Sequence, residues 1–128
     1  MIVAGVGCRS EISAEQIESA IAAAAEQSRV PTHQISLIAI PATRSTERGI
    51  QLVAAARGVP IVLVPQPALE AEDSRTVTRS QRSKDAMNVH SVAEAAALAA
   101  AGPGGRLLAP RIAVGPVTCA LAEGSIPS

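Results

Sequence analysis

The sequence predicts an α/β protein, a three-layer α/β/α sandwich with a mainly parallel sheet and a C-terminal β-hairpin. Short apolar runs alternate with amphipathic helices along the first half of the chain, which is typical of right-handed crossovers between parallel strands covered on both faces. Two closing apolar runs flank Gly115-Pro116, and this arrangement predicts the hairpin. A chain of 128 residues usually has one core, so we expect a single domain over residues 1–128.

The first strand and the first helix have the clearest patterns. The apolar run over residues 1–6, followed by Gly7, predicts a buried strand that ends in a tight turn. The segment from Ser13 to Gln16 has the pattern of a capping box, which predicts a helix start. The helix is expected to run to about Arg29 and to bury an apolar face made of Ile17, Ala20, Ile21, Ala24 and Ala25.

The middle of the chain continues the alternation of strands and helices. The sequence predicts a second strand over residues 35–40, a second helix over residues 45–57 that ends at Gly58, and a third strand over residues 61–64. The pattern weakens over residues 65–88, where prolines and polar residues predict a short helix, one short edge strand and a long mobile loop.

A second capping-box pattern begins the last part of the chain. Ser91-Val92-Ala93-Glu94 predicts the start of an Ala-rich helix that ends before Gly102, with Glu94 as its capping carboxylate. Two strands over residues 107–114 and 117–123 then complete the predicted hairpin.

Composition limits the classes of function. The formal net charge is +0 and the chain has no Phe, Trp or Tyr, so nucleic acid binding is not expected. The sequence shows no signal peptide and no apolar run of membrane-spanning length, which predicts a cytoplasmic protein that does not bind membranes. Cys8 and Cys119 lie outside any metal-binding spacing, and His33 and His90 are isolated. We therefore expect free thiols, no metal site and no cofactor.

The candidate ligand site lies beyond the carboxyl ends of the parallel strands, where backbone amides and helix N-termini converge. Arg9 follows the first strand and Arg44 follows the second. A guanidinium binds a carboxylate through two parallel hydrogen bonds, so these positions predict an anionic ligand. A dinucleotide site is disfavoured because Ser10 stands where the Gly5-Val6-Gly7 pattern would need its third glycine. The Gly, Lys and Ser/Thr order of a P-loop is also missing.

Four sequence phrases occur in an order that matches one known family. They are Gly5-Val6-Gly7-Cys8-Arg9, Arg44 to Ile50, Val92 to Leu98 and Val117 to Ala122. Together they resemble the CobE and CbiG C-terminal domain family of cobalamin (vitamin B12) biosynthesis over nearly the whole chain. Arg44 and Arg111 stand where that family usually carries lysine, so positive charge is kept while imine chemistry through a lysine amine is disfavoured.

The resemblance implies a protein that binds a polycarboxylated corrinoid or precorrin intermediate and acts beside other enzymes of the pathway. Because such rings carry acetate and propionate groups, we expect Arg9, Arg44 and Arg111 to bind carboxylates at the carboxyl ends of the strands. The predicted ligand-binding residues are Gly5, Gly7, Cys8, Arg9, Arg44, Ser45, Glu47, Glu94, Arg111 and Thr118.

The sequence leaves catalysis open. Cys8, Glu47 and Glu94 are candidates for a ring-modifying, hydrolase-like step, and each also has an ordinary structural explanation as a buried thiol or a carboxylate at a helix start. The alternatives are a carrier that passes on an unstable intermediate and a small non-catalytic interaction module. The cationic residues of the weakly patterned segment form either a solvated loop or a lid over the site, and they are Arg75, Arg79, Arg82 and Lys84.

Overall fold

The computed structural model describes residues 1–9 and 11–124, which contain six strands and five α-helices. Ser10, which bears on the glycine pattern, lies outside them. The strands are Ile2–Cys8 (β1), Ile35–Pro41 (β2), Ile61–Val64 (β3), Arg106–Leu107 (β4), Ile112–Val114 (β5) and Val117–Glu123 (β6). The α-helices are Ala14–Ser28 (α1), Arg48–Arg57 (α2), Gln66–Ala71 (α3), Gln81–Met87 (α4) and Val92–Ala101 (α5). Strands and helices alternate as far as α3, and two further helices and three strands then follow in turn.

The strands form one sheet with β1 at its centre. Their order is β3-β2-β1-β6-β4, and β5 pairs with β6. β2 is parallel to both β1 and β3, whereas β6 is antiparallel to β1, β4 and β5. All described strands except β6 therefore run in one direction, and the predicted mainly parallel sheet is confirmed. The predicted hairpin is β5–β6, and its turn contains Gly115 with φ of 58°.

Helices cover both faces of the sheet, which confirms the predicted three layers. On one face α1 and α2 pack over a core rich in isoleucine. On the other face α3 and α5 pack over a core of valine, leucine and alanine. The alternation of side chains along β1 separates the two cores, because Ala4 and Val6 point to the first and Val3 points to the second.

α5 packs very closely on β1. A Cβ atom added to Gly5 would lie 2.0 Å from the backbone oxygen of Ala93 and 2.7 Å from the backbone nitrogen of Ala97. No side chain fits between the strand and the helix at this level, so Gly5 permits direct contact between the two backbones. The Ala-rich sequence of α5 serves the same contact, because a longer side chain on this face would push the helix away.

The segment predicted to hold an edge strand and a long loop is helical. Residues 65–88, all of which the structure describes, form α3, a 3₁₀ turn at Asp73–Arg75 and α4, and no strand. Pro67 lies in the first turn of α3, where its missing N–H costs nothing. Ser80 caps α4 by accepting the N–H of Ser83 at 3.1 Å. These prolines and serines begin helices, and the expectation of an edge strand was wrong.

The strand predicted over residues 107–114 is split into β4 and β5. Between them the four residues 108–111 stand opposite only two residues of β6, Ala120 and Leu121. Pro110 has no N–H to donate, and the N–H of Arg111 binds the Glu94 carboxylate at 2.9 Å instead of pairing with β6. A tertiary contact therefore interrupts the pairing.

The second helix begins three residues later than predicted. A 3₁₀ turn at Ala42–Arg44 follows β2, and α2 begins at Arg48. Glu47 is therefore the residue before the helix and not part of its first turn. Its carboxylate accepts the N–H of Ile12 at 3.2 Å, which links the loop after β1 to the start of α2.

Candidate functional site

A pocket of about 470 Å³ lies at the carboxyl ends of β1 and β2. β1 and the loop after it contribute Gly7, Cys8 and Arg9, and the end of β2 contributes Pro41 and Arg44. The predicted position of the site at this edge of the sheet thus coincides with a concave surface, and parallel strands bring the two arginines together from distant parts of the chain.

A second wall of the pocket comes from α4, a helix that the sequence did not predict. Arg82, Ala86 and Met87 of α4 line the pocket together with Ser80 and Ser83. The lining residues of α4 are spaced so that they share one side of the helix. Ser80 followed by Ser83 is the local signal that would have predicted this helix, because Ser80 is its N-cap.

The hairpin and α5 complete the pocket. Gly115 and Pro116 of the hairpin turn line it together with Arg111, Thr118 and Val92. Arg111 immediately precedes β5, so its backbone is fixed by the hairpin while its side chain lines the pocket.

Gly7 lies where β1, β6 and the N-terminus of α5 meet. The Thr118 hydroxyl donates a hydrogen bond to the backbone oxygen of Gly7 at 3.3 Å. A Cβ atom on Gly7 would lie 2.7 Å from the Thr118 hydroxyl oxygen and 3.6 Å from the backbone nitrogen of Ala93. The tight contact is with Thr118, so glycine at this position lets the Thr118 hydroxyl reach the Gly7 oxygen beside the start of α5.

The pocket is strongly cationic. Four arginines line it and no described Asp or Glu does. The side chains of Arg9, Arg82 and Arg111 form no ion pair with any residue that the structure describes. Guanidinium groups do not lose their charge at physiological pH, so the pocket presents a fixed positive potential to an anionic ligand.

Cys8 lies in the pocket as a protonated thiol. Burial raises the pKa of Cys8 to about 11, the nearby Glu47 carboxylate adds to the increase, and Arg44 opposes it. Desolvation therefore outweighs the effect of the neighbouring positive charge on the pKa of Cys8. At neutral pH the thiolate needed for nucleophilic attack is scarce.

Four predicted binding residues lie outside the pocket lining, and they are Gly5, Ser45, Glu47 and Glu94. Gly5 is covered by α5, as described above. The backbone oxygen of Ser45 accepts a hydrogen bond from the Gln51 side chain at 2.9 Å. Glu47 connects the loop after β1 to the start of α2 beside the pocket. Its negative charge raises the pKa of Cys8, and its hydrogen bond to Ile12 links the two segments.

Glu94 lies behind the pocket and is completely buried. The Ser91 half of the predicted capping box is present, since the Ser91 hydroxyl accepts the Glu94 N–H at 3.3 Å. The Glu94 half is wrong. Its carboxylate accepts the N–H groups of Val77 (2.8 Å), Thr78 (3.0 Å) and Arg111 (2.9 Å), and the Thr78 hydroxyl at 2.5 Å. A capping-box glutamate would accept the backbone N–H of Ser91. Here donors from residues 77–78 and from Arg111 take its place.

The predicted lid cations separate into two groups. Arg82 lines the pocket. Arg79 and Lys84 instead lie 3.9 and 3.7 Å from the Asp73 carboxylate, and Arg75 pairs with a neighbouring glutamate at 2.8 Å. Only one of the four cations therefore belongs to the site in this arrangement.

Asp73 joins the segment before α4 to the start of α5. It accepts the backbone N–H of His90 at 2.7 Å, and the imidazole Nδ1 of His90 lies 3.0 Å from the same oxygen. These contacts, the backbone hydrogen bond first, hold the pKa of Asp73 below its usual range. His90, which the sequence placed as isolated, thus has a structural partner.

Within residues 1–9 and 11–124, no group of three or more His, Cys, Asp or Glu side chains is arranged to hold a metal ion. Over the same residues, no helix has both the length and the apolar character required to cross a membrane.

Three solved structures resemble this fold. CobE, a protein from the cobalamin (vitamin B12) biosynthetic pathway, is 27% identical, with a TM-score of 0.87 over 95% of this chain and 89% of that chain. The cobalamin biosynthesis protein ChiG from Agrobacterium tumefaciens str. C58 is 40% identical, with a TM-score of 0.77 over 98% of this chain and all (100%) of that chain. A cobalamin biosynthesis protein G homolog from Sulfolobus solfataricus, 23% identical, shares the fold with a TM-score of 0.69 over 94% of this chain and 36% of its own length. No curated protein sequence matches the chain.

The match to a family model covers almost the whole fold. The model of the cobalamin synthesis G C-terminus matches residues 2–122, from the first residue of β1 to the penultimate residue of β6. The resemblance seen in the sequence is thereby confirmed. The chain belongs to the CobE and CbiG C-terminal family and is a protein of cobalamin biosynthesis.

Proposed function

We propose that this protein binds a polycarboxylated corrinoid or precorrin intermediate of cobalamin biosynthesis in the arginine-lined pocket. One observation carries the proposal: four arginines, Arg9, Arg44, Arg82 and Arg111, line one pocket to which no described carboxylate contributes. This concentration of positive charge favours a ligand with several negative charges. Corrinoid precursors, with acetate and propionate groups around the ring, meet that requirement.

The remaining lining supports a ring-shaped ligand. Pro41, Ala86, Met87, Val92 and Pro116 place apolar atoms between the arginines. An apolar surface bounded by guanidinium groups complements a flat macrocycle whose face is apolar and whose edge is anionic. The arginines would bind the carboxylates, and the apolar lining would contact the ring.

The candidate catalytic groups favour binding over covalent catalysis. The raised pKa keeps Cys8 protonated at neutral pH. Glu47 already accepts a backbone hydrogen bond, and Glu94 is enclosed and accepts four. These contacts leave no described group in an obvious position to move a proton at the ligand. A carrier that holds an unstable intermediate between enzymes is the role these observations support.

A spectroscopic titration tests the proposal. The purified protein is titrated into hydrogenobyrinic acid, and the visible spectrum of the ligand is followed for the wild type and for the Arg9→Ala, Arg44→Ala double variant. Because a hydrogen bond to a charged group contributes about 1.5–3 kcal/mol, the double variant should bind about 100-fold more weakly or worse. Protein concentration must come from peptide absorbance, since the chain has no Trp or Tyr.

A matched control removes two arginines far from the pocket. Arg106 pairs with Glu123 at the opposite edge of the sheet, and Arg29 follows the C-terminal end of α1. The Arg29→Gln, Arg106→Gln variant keeps the same net charge as the test variant and should bind like the wild type. Equal weakening in both variants would mean non-specific attraction. Absence of binding to the wild type would favour the interaction module, and conversion of the ligand would favour the enzyme.

A further inference from the structure

Glu94 has an unusual environment for a carboxylate. Its side chain is fully buried at 0% exposure, and it forms no ion pair with any described cation. Isolated buried carboxylates are strongly disfavoured unless hydrogen bonds replace the lost water. Here three backbone N–H groups and one hydroxyl supply those hydrogen bonds at 2.5–3.0 Å.

The four donors come from the two segments that form facing parts of the pocket. Val77 and Thr78 lie just before Ser80, the N-cap of α4, and α4 carries Arg82. Arg111 donates through its own backbone, and its side chain lines the pocket. Glu94 itself is on the first turn of α5, two residues after Val92, another lining residue.

One carboxylate therefore connects the α4 wall, the hairpin wall and the N-terminus of α5. Three of the four donors are backbone N–H groups, so the connection does not use the charged side chains that line the pocket. A carboxylate can accept several such bonds at once, whereas an amide has a single acceptor oxygen and presents an NH₂ group to the remaining donors.

We propose that Glu94 is a positioning residue that sets the distance between Arg82 and Arg111, and thereby selects ligands by the spacing of their carboxylates. The proposal rests on the proposed function for its ligand, and it assigns to Glu94 no contact with that ligand. Without the carboxylate, the N–H groups of residues 77, 78 and 111 lose their common acceptor. The two walls then move independently, and each arginine binds its carboxylate with less preorganisation.

The first test compares ligand binding with stability. Glu94→Gln should weaken the binding of hydrogenobyrinic acid about tenfold, since preorganisation of two charged contacts is lost. Ser91→Ala is the matched control, because it removes the cap of the same helix turn without touching residues 77, 78 or 111. Ser91→Ala should lower the melting temperature and leave the dissociation constant unchanged. Equal dissociation constants for Glu94→Gln and the wild type would overturn the proposal.

Double-mutant cycles show whether Glu94 acts through the arginines. Glu94→Gln is combined with Arg111→Gln and, separately, with Arg82→Gln. If Glu94 positions these side chains, Glu94→Gln should weaken ligand binding less in a protein that already lacks the arginine. The loss of affinity in each double variant should then be smaller, by about threefold or more, than the product of the two single losses. Independent, multiplicative effects in both cycles would contradict the positioning role.

A ligand-free measurement separates this proposal from the proposed function. In Glu94→Gln the single amide oxygen can keep either the Val77 and Thr78 amides, which share one carboxylate oxygen, or the Arg111 amide. Hydrogen exchange on the side that is released should be at least about tenfold faster, while the amides of β1 keep their wild-type rates. The Cys8 thiol, which lines the pocket, should also react faster with a disulfide reagent, and buried Cys119 should not. If the wild type fails to bind hydrogenobyrinic acid, the proposed function fails, and these rates still decide whether Glu94 holds the walls.

A milder variant keeps the test valid if Glu94→Gln does not fold. Thr78→Val removes only the hydroxyl donor at 2.5 Å and leaves the three backbone bonds in place. It should accelerate exchange at residues 77 and 78 more than at Arg111. Unchanged exchange at residues 77, 78 and 111 in a folded variant would overturn the proposal.

Discussion

The two faces of the sheet are packed in different ways. Under α1 and α2 the core consists of branched side chains, among them Ile17, Ile21 and Ile38, which separate helix from strand. Under α5 the contact is between backbones, because Gly5 and the alanines of the helix leave no side chain in between. One face therefore buries large apolar side chains, and the other brings a helix N-terminus against the strand ends.

This difference explains the position of the pocket. On the α5 face a helix begins beside the carboxyl end of β1, where Gly7 lies close to Ala93. A larger residue at Gly5 would push α5 away from β1, whereas a larger residue at Gly7 would displace the Thr118 hydroxyl. The close packing of α5 is thus both a stabilising contact and the reason that the site lies on this face.

The largest expected effect comes from Gly5→Ala. Because the new Cβ would lie 2.0 Å from the Ala93 oxygen, the free energy of unfolding should fall by about 3 kcal/mol or more. Urea denaturation followed by circular dichroism measures it, as the chain has no Trp or Tyr for fluorescence. Gly58→Ala, at a φ of 68° with open space around it, is the control and should cost about 1–2 kcal/mol. Equal costs would refute the close contact.

A smaller effect is expected on the α1 face. Ile21→Val deletes one methylene from a fully buried side chain and should lower the free energy of unfolding by about 1 kcal/mol. The matched control is Leu52→Val on α2, where the side chain is 50% exposed and the cost should be within about 0.5 kcal/mol. If Ile21→Val destabilised the protein more than Gly5→Ala, the contrast between the two faces would be reversed.

The smallest expected effect is a loss of stability at high pH, and it comes from the two thiols. Burial raises the pKa of Cys8 to about 11 and that of Cys119 to about 12, above the ordinary value of 9.0. The unfolded chain then releases its thiol protons first as pH rises. The associated stability is present below pH 9 and is lost progressively as pH rises toward 11 and 12.

Urea denaturation at a series of pH values measures this loss. The free energy of unfolding should decrease above about pH 9 in the wild type, and Cys8→Ser should decrease less steeply. The remaining decrease belongs to Cys119. An identical slope in both proteins would show that Cys8 does not contribute.

Local sequence signals predicted those elements whose ends are decided locally. α1 begins after Ser13 with both halves of its capping box in place, and it ends at Arg29, as predicted. The same signal at Ser91 and Glu94 predicted the helix start correctly and the role of Glu94 wrongly. Residues 77, 78 and 111 provide better donors, and their proximity depends on the assembled fold.

The candidate site shows the same division. Six predicted residues line the pocket, and they are Gly7, Cys8, Arg9, Arg44, Arg111 and Thr118. Five of them lie at or just beyond the ends of predicted strands, whereas Arg111 lies inside the strand predicted over residues 107–114, which the fold splits. The α4 helix was missed because its position depends on bonds between separate segments, such as the one from the Gln66 side chain to the Met87 oxygen at 2.8 Å. Gly5 was assigned to the ligand because the sequence does not show what covers a glycine.

The sequence by itself determined the α/β class, the order of its main elements, the family and the cationic character of the strand ends. These follow from periodicity, caps and motifs that span a few residues each. Tertiary structure alone decided which side chains share the pocket, where the Glu94 carboxylate finds its donors and which face α5 approaches. The physical reason is that hydrogen bonding and close packing between distant segments depend on distances that folding creates and that no local pattern encodes.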